Sequence, residues 1–340
     1  MTRIFWEQDA KPETLSEKRV AVLGYGSQGR GQAMNLRDSG VDVVLGLRPG
    51  GKSEAVAKAD GWEPVPPDAA VAGADVVVFL VPDMAQPGLY QKAVEPYLKK
   101  GATILFSHGF NIHYGTIKAP EGVDVVLVAP KGPGRLVRTQ YEEGRGVPCL
   151  VAVHQDGTGE AFHRALAYAH AIGGTRGGVL ETNFAEETET DLFGEQAVLC
   201  GGATELVKVG FETLVNAGYQ PELAYFECLH ELKLIVDLLY EGGFARMHEF
   251  VSETAIYGDL TRGPRVVDDH VRASMEQILK EIQDGTFARQ WTEENAAGLK
   301  NYQEMQDADL GHQIEQVGRD LRANMTWLKG QEKKRDEAAV

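Results

Sequence analysis

The chain has 340 residues, 50 of them acidic and 34 basic, for a formal net charge of −16 at pH 7. That length admits two domains with full cores, and that charge argues against nucleic-acid binding, which needs a basic surface. No apolar run approaches the ~20 residues of a membrane span. The opening MTRIFWEQDAKP lacks the charged-then-apolar order of a secretory leader. Cys149, Cys200 and Cys228 form no C-x-x-C pair, which fits a reducing, cytoplasmic setting, with each expected as a small buried hydrophobe.

Taken in chain order, the most informative stretch runs from Arg19 to Arg48. An apolar run at 20–23 is followed at once by Gly24, Gly26 and Gly29 in the G-x-G-x-x-G spacing, then a helical segment, then a second apolar run at 41–47. Strand, glycine turn, helix and strand in that order are the context a dinucleotide fingerprint requires. Gly24 is expected to permit the tight turn, Gly26 to let backbone approach a pyrophosphate, and Gly29 to let the helix pack close. The helix N-terminus then offers N–H groups and partial positive charge to the phosphates. The second strand ends at Leu47 and Arg48, followed by Pro-Gly-Gly-Lys-Ser. The carboxylate that would hold a ribose 2′-OH is missing, whereas Arg48, Lys52 and the Ser53 hydroxyl suit a 2′-phosphate; the expected cofactor is NADP(H).

Further strand-like runs at 76–81, 103–106, 123–129 and 149–153 alternate with helix-like segments, the pattern of a doubly wound parallel sheet. Near Glu181 the character changes. Residues 182–218 read as one helix closed by Gly218, Pro221 opens the next, and helical stretches follow at 243–257, 264–285 and 292–327. The expected architecture is therefore α/β: an N-terminal Rossmann-like parallel-sheet domain over 1–182, an all-α domain over 183–328, and a charged tail at 329–340 expected to fray.

On the first long helix Asp191 and Glu195 stand at i and i+4, and on the second Glu227 and Glu231 do the same. Each pair shares a helix face. If the pairs met across a helix interface they would need cations, and hard oxygen ligands suit Mg²⁺. The spacing by itself also describes a solvated acidic face, the commoner outcome in so acidic a chain. Glu186, Glu187 and Glu189 are expected to be such surface.

Six motifs occur in order: GYGSQG at 24–29, SHGFNIHYG at 107–115, APKGPG at 129–134, ETETDLFGEQAVLCGG at 187–202, AYFECLHELKLIVDL at 224–238 and VSETAIYGD at 251–259. From about Phe5 to Trp327 the chain resembles the ketol-acid reductoisomerases (acetohydroxy acid isomeroreductases) in their short bacterial form. The resemblance implies a knotted helical domain and two Mg²⁺ per site, held by Asp191 as bridge with Glu195, Glu227 and Glu231. It implies His108 and Lys131 as active-site residues and Ser252 as a substrate contact. For proton transfer Glu231, Lys131 and a metal-bound water stand as candidates, unranked. Cofactor contacts are implied at Tyr25, Gly26, Ser27, Gln28, Arg48, Ser53, Asp83, Met84, Ala85, Gln86 and Gly134.

The implied substrate is a small 2-hydroxy-3-keto acid. An alkyl group migrates in 2-acetolactate or 2-aceto-2-hydroxybutanoate, and NADPH reduces the product to the 2,3-dihydroxy acid, in valine, isoleucine and leucine biosynthesis. The resemblance also implies active sites built between chains of a homodimer or higher homo-oligomer. The chain departs from the family in three places: Gly29-Arg30-Gly31-Gln32 stands where G-H-A-H is common, Gly51 where serine is common, and Arg135 where histidine is usual. Two rivals remain, an NADP-dependent β-hydroxyacid dehydrogenase and a non-catalytic NADP sensor. Neither explains the paired carboxylates.

Overall fold

Each of the six apolar runs in the first half forms a strand in the computed structural model, which describes residues 3–325. They are β2 (Arg19–Leu23), β3 (Asp42–Gly46), β4 (Val76–Phe79), β5 (Thr103–Phe106), β6 (Asp124–Pro130) and β7 (Cys149–Gln155). Two strands too short to show any alternation join them, β1 (Ile4–Phe5) and β8 (Val179–Glu181). The eight make one sheet in the order β1-β8-β7-β6-β5-β4-β2-β3. The block β3-β2-β4-β5-β6 is parallel, with Val20 in register between Val43 and Val76. Beyond β6 the sheet turns mixed, because β6–β7 and β1–β8 pair antiparallel while β7–β8 pair parallel. The runs lack period-two patterning for a physical reason: strands such as β2 and β4 are buried on both faces.

The helices α1 (Ser27–Asp38), α2 (Lys52–Ala59), α3 (Gly134–Glu142) and α4 (Ala161–Ala171) cover this sheet. Alternate residues of the strands feed two apolar clusters. One holds Val20, Val22, Leu36, Leu105 and Tyr168; the other holds Ala21, Leu23, Val77, Phe79 and Phe106. The chain passes from β2 outward to β3, then places β4 on the opposite side of β2. That reversal opens a crevice at the carboxyl ends of β2 and β4, where ligands of such sheets bind.

The chain divides into two units, one ending at Thr188 and the other beginning at Glu189. The division falls inside α5 (Phe184–Phe193), just after the change of sequence character at 182. The second unit is helical throughout, with less regularity than its sequence promised. The single helix expected over 182–218 is α5, a π-helical turn at Gly194–Leu199, a break at Cys200 (φ −107°, ψ −69°) and α6 (Gly201–Asn216). The next is α7 (Pro221–Tyr225), a second π-helical turn at Phe226–His230 and α8 (Glu231–Phe250). α8 is itself kinked at Gly242 and Gly243, the latter at φ +68° where a side chain would be strained.

Ser252 caps α9 (Glu253–Val266) by accepting from the Ala255 N–H at 3.2 Å, and Asp268 caps α10 (Asp269–Gln283) in the same way. The expected helix over 292–327 is broken at Gly298 and Gly311, giving α11 (Thr286–Ala296), α12 (Lys300–Leu310) and α13 (Gln313–Asn324). The tail at 329–340 lies outside the described residues. A small core of Phe211, Ala224, Tyr225 and Ile314 holds part of this unit together. α8 and α9 bury no residue, and Tyr240 and Phe244 are 91% and 76% exposed.

Candidate functional site

The glycine turn stands at the carboxyl end of β2. Gly24 has φ +104°, and a Cβ there would lie 2.5 Å from the Leu80 carbonyl oxygen. A Cβ on Gly29 would lie 2.3 Å from the Gly24 oxygen, whereas one on Gly26 would meet nothing within 4 Å. Gly24 and Gly29 are thus glycine for packing, and Gly26 leaves backbone open at the head of α1. Gly134 extends the cradle. Its Cβ would lie 2.2 Å from the Ser27 carbonyl, so the head of α3 abuts the first turn of α1.

Other expected cofactor residues are placed as follows. The Tyr25 side chain is buried; its hydroxyl donates to Asp60 at 2.9 Å and accepts from the Trp62 indole N–H at 2.9 Å. Burial first, and then Asp60, push that hydroxyl well above the usual phenol range. Tyr25 therefore has its backbone to offer a cofactor. Arg30, one of the departures from the family pattern, grips the same Asp60 with two bonds of 2.8 and 2.9 Å. Arg48 and Lys52 are exposed and Ser53 half-buried around the head of α2. Glu54 accepts from the Gly50 N–H at 2.6 Å and pairs with Lys58 at 2.7 Å, which steadies this turn. Gln86 is buried: its amide donates to the Val81 carbonyl and Asp83 and accepts from Asn111 at 3.0 Å, pinning the 83–86 turn to the loop after β5. Met84 is half-buried and Ala85 exposed on that turn.

His108 follows β5 and Lys131 follows β6, on neighbouring strands. Both reach one carboxylate, Glu187. The Lys131 ammonium donates to its Oε1 at 3.2 Å, His108 Nδ1 lies 3.4 Å from Oε2, and the Gly109 N–H donates to Oε2 at 2.9 Å. Glu187 is 1% exposed, which corrects its expected place on a solvated face. The sequence does carry a signal for this. Phe184, Glu187 and Thr188 recur at helical spacing, and the two neighbours are apolar or fully buried, so the face of α5 that bears Glu187 is the inner one. Gly109 permits the approach, since a Cβ there would lie 2.3 Å from the Thr188 hydroxyl. Burial pushes the Glu187 carboxyl up, but the hydrogen bond and charge of His108, the charge of Lys131 and the Gly109 N–H together hold it below the ordinary carboxylate range. It is a buried anion that organises two cationic or proton-carrying side chains.

Asp191 lies one turn beyond Glu187 on the same helix and is half-buried. Glu195 is exposed on the first π-helical turn, Glu227 is exposed on the second, and Glu231 is exposed at the start of α8. Among the described residues, Glu195, Glu227 and Glu231 belong to no group of three or more potential metal ligands. Ser252 is exposed at the cap of α9. The donors are all hard carboxylate oxygens, a set that fits Mg²⁺ and would suit a thiophilic metal poorly. The cysteines differ from expectation in one case: Cys149 is buried and Cys228 half-buried, but Cys200, at the break before α6, is exposed.

Residues 14–178 match the family model for the acetohydroxy acid isomeroreductase NADPH-binding domain, and residues 184–327 match that for the ketol-acid reductoisomerase C-terminal domain. The ketol-acid reductoisomerase (NADP(+)) of Xylella fastidiosa is 60% identical over 315 residues, which is 93% of this chain and 90% of that one. Its counterpart in Xanthomonas axonopodis pv. citri is 59% identical over 317 residues, 93% and 95% of the two chains. Among solved structures, an NADH-preferring ketol-acid reductoisomerase from an uncultured archean matches with a TM-score of 0.92 at 47% identity, over 94% of this chain and 98% of that one. A semialdehyde dehydrogenase NAD-binding protein from Cupriavidus necator shares the fold alone, with a TM-score of 0.60 at 17% identity over 79% and 99% of the two chains.

Proposed function

The chain belongs to the ketol-acid reductoisomerase family, and from that membership and the site above we infer how its residues divide the work of this NADP-dependent enzyme. The substrate is 2-acetolactate or its ethyl homologue, and the product is the 2,3-dihydroxy acid. The observation that carries the reading is the gathering of His108 and Lys131 on buried Glu187, on loops next to the glycine turn.

The open backbone at Gly26 and the first N–H groups of α1 would cradle the pyrophosphate, and Arg48, Lys52 and Ser53 would surround the 2′-phosphate. NADPH, when bound, supplies the hydride for the reduction. Asp191, Glu195, Glu227 and Glu231 would hold two Mg²⁺, which supply Lewis acidity toward the substrate carbonyl and hydroxyl. Lys131, paired with Glu187 at 3.2 Å, would donate a proton to the product oxygen. His108 is placed to orient water or relay a proton, and Glu231 is the carboxylate base. Ser252 would hydrogen-bond the substrate.

Glu227 and Glu231 are exposed and, among the described residues, join no group of three or more potential metal ligands, so we assign them to the site of a second copy. The apolar surface of α8 and α9 supports that assignment, because a 20-residue helix with no buried residue needs a partner surface. We assign the enzyme to the cytoplasm on the strength of the family and its sparse, unpaired cysteines.

The decisive assay is NADPH oxidation on 2-acetolactate with and without Mg²⁺. Turnover that requires Mg²⁺ is the expected result. Full activity in excess chelator would refute the metal assignment, and oxidation of simple β-hydroxyacids without metal would favour the dehydrogenase reading.

A further inference from the structure

Glu187 fixes the side chains of His108 and Lys131 from one side. A second set of contacts fixes the backbones of their loops from the other. Gln32, in the second turn of α1, is fully buried. Its Nε2 donates to Gln28 Oε1 at 3.0 Å and to the Ser107 hydroxyl at 3.2 Å, and its Oε1 accepts from the Tyr168 hydroxyl at 2.8 Å. Gln28, one turn earlier, passes the chain on: its Nε2 donates to the Gly132 carbonyl at 2.9 Å. Ser107 directly precedes His108, and Gly132 directly follows Lys131.

We propose that Gln28 and Gln32 are positioning residues for the reaction, an amide relay that locks the loops bearing His108 and Lys131 onto the helix whose head receives the cofactor. The proposal rests on the reading of those two residues as active-site groups. No single motif announces it, because its members come from GYGSQG, the departing Gly29-Arg30-Gly31-Gln32 run, SHGFN, APKGPG and α4.

The relay has a defined polarity. Tyr168 is fully buried, and burial pushes its hydroxyl far above the usual phenol range, so it remains a proton donor at all working pH values. The Gly132 carbonyl can only accept, so it fixes the Gln28 NH₂ toward itself and the Gln28 oxygen toward Gln32. Gln32 must then turn its NH₂ to Gln28 and its oxygen to the Tyr168 O–H. Tyr168 anchors the far end of the relay through a contact that involves no substrate, cofactor or catalytic side chain. The histidine common at position 32 in the family can accept from one neighbour and donate to one other, so it can supply part of the same linkage.

The test is Tyr168→Phe, which deletes one hydroxyl from a residue that belongs to neither loop. In the intact enzyme at saturating Mg²⁺, kcat should fall by about threefold to tenfold while KM for NADPH stays within about twofold, the size expected when one buried hydrogen bond stops orienting a reacting group. Gln32→Met, which keeps the volume and removes the amide, should lower kcat by about tenfold to a hundredfold, and Gln32→His should recover part of that loss. Melting temperature falls for Tyr168→Phe whether the relay is functional or merely structural, so kcat is the deciding readout. If Gln32→Met does not fold, Tyr168→Phe still decides. A lowered melting temperature with unchanged kcat in Tyr168→Phe would overturn the proposal. Parallel His108→Gln and Lys131→Met variants separate the two failures. If they keep full kcat, the active-site reading is wrong; if they lose it while Tyr168→Phe does not, only the relay is wrong.

Discussion

Replacing Glu187 by glutamine removes one charge and keeps the shape. The glutamine oxygen can still accept from the Gly109 N–H, now held at 2.9 Å, so the backbone of the loop after β5 keeps its anchor. What is lost is the pairing with Lys131 at 3.2 Å and with His108 at 3.4 Å. The new amide NH₂ must face one of these two, both of which are donors when protonated. Breaking a fully buried pair costs ~3–5 kcal/mol. The Lys131 side chain is 34% exposed and can turn into water, so the lower value for a single charged hydrogen bond applies, about 1.5–3 kcal/mol. Spent on the orientation of the two reacting groups, that is about a tenfold to hundredfold loss in kcat.

The assay is NADPH oxidation on 2-acetolactate, with the Mg²⁺ dependence measured alongside and the reduction half-reaction followed on the 3-hydroxy-2-keto acid. The expected pattern is a large fall in kcat, a small change in KM for NADPH, and no rescue by added Mg²⁺. Retained kcat would refute the role given to Glu187. Full rescue by excess Mg²⁺ would move that role to metal affinity.

Arg48→Gln should raise KM for NADPH about tenfold to a hundredfold, as expected for a lost charged contact to phosphate, with little change for NADH; an unchanged ratio of the two would disprove the 2′-phosphate assignment. Gly134→Ala places a Cβ 2.2 Å from the Ser27 carbonyl, so it should cost about 1–3 kcal/mol in overpacking and weaken NADPH binding, read by melting temperature and cofactor titration; a variant equal to the parent in both would show that α1 and α3 are not held at that distance. In the folded protein at neutral pH, Cys200 should take up a maleimide, whereas Cys149, buried and with its thiol pushed up to about 12, should not; rapid labelling of Cys149 would contradict its burial. Asp191→Asn and Glu227→Gln should each be inactive alone, and co-expressed they should regain up to about half the activity of a mixed dimer's two sites, as an isologous two-fold assembly requires; mixed dimers without activity would place each site within one chain.

The five strands of the parallel block and β7 were legible because each is an apolar run between helices. The glycine turn was legible because its spacing is a steric requirement that Gly24 and Gly29 satisfy. β1 and β8 were not, since two or three residues carry no periodicity. The antiparallel pairing of β7 was hidden too, because an apolar run does not encode the direction of its strand. In the second unit the helical stretches were visible but their interruptions were not. The breaks at Cys200 and Gly298 depend on single backbone conformations rather than on composition, whereas the kink at Gly242 and Gly243 falls where one helical stretch was expected to give way to the next. At the site, His108 and Lys131 were found by resemblance. Glu187 was misread because an acidic cluster of four carboxylates within six residues, 186–191, looks solvated, and only the burial of its neighbours on α5 reveals that one of them points inward.

The two π-helical turns show how the paired-carboxylate pattern works physically. In a regular α-helix, residues at i and i+4 share a face. Both acidic pairs straddle a junction between α and π geometry: Asp191 precedes the turn that holds Glu195, and Glu227 lies in the turn that ends before Glu231. A π turn carries an extra residue per hydrogen-bonded ring, which displaces the later carboxylate from where regular helix would put it and leaves backbone groups less regularly paired. Such turns are uncommon overall and frequent at functional sites, although a third, at Tyr90–Val94 in the first unit, stands at no acidic pair. Two of them, each at an acidic pair, are hard to account for as a solvated face, which needs no special geometry. They are accounted for if both pairs must converge on the same ions. The proposal that Glu227 and Glu231 complete the site of a second copy meets that requirement, gives the exposed apolar surface of α8 a role, and is what the complementation of Asp191→Asn by Glu227→Gln tests.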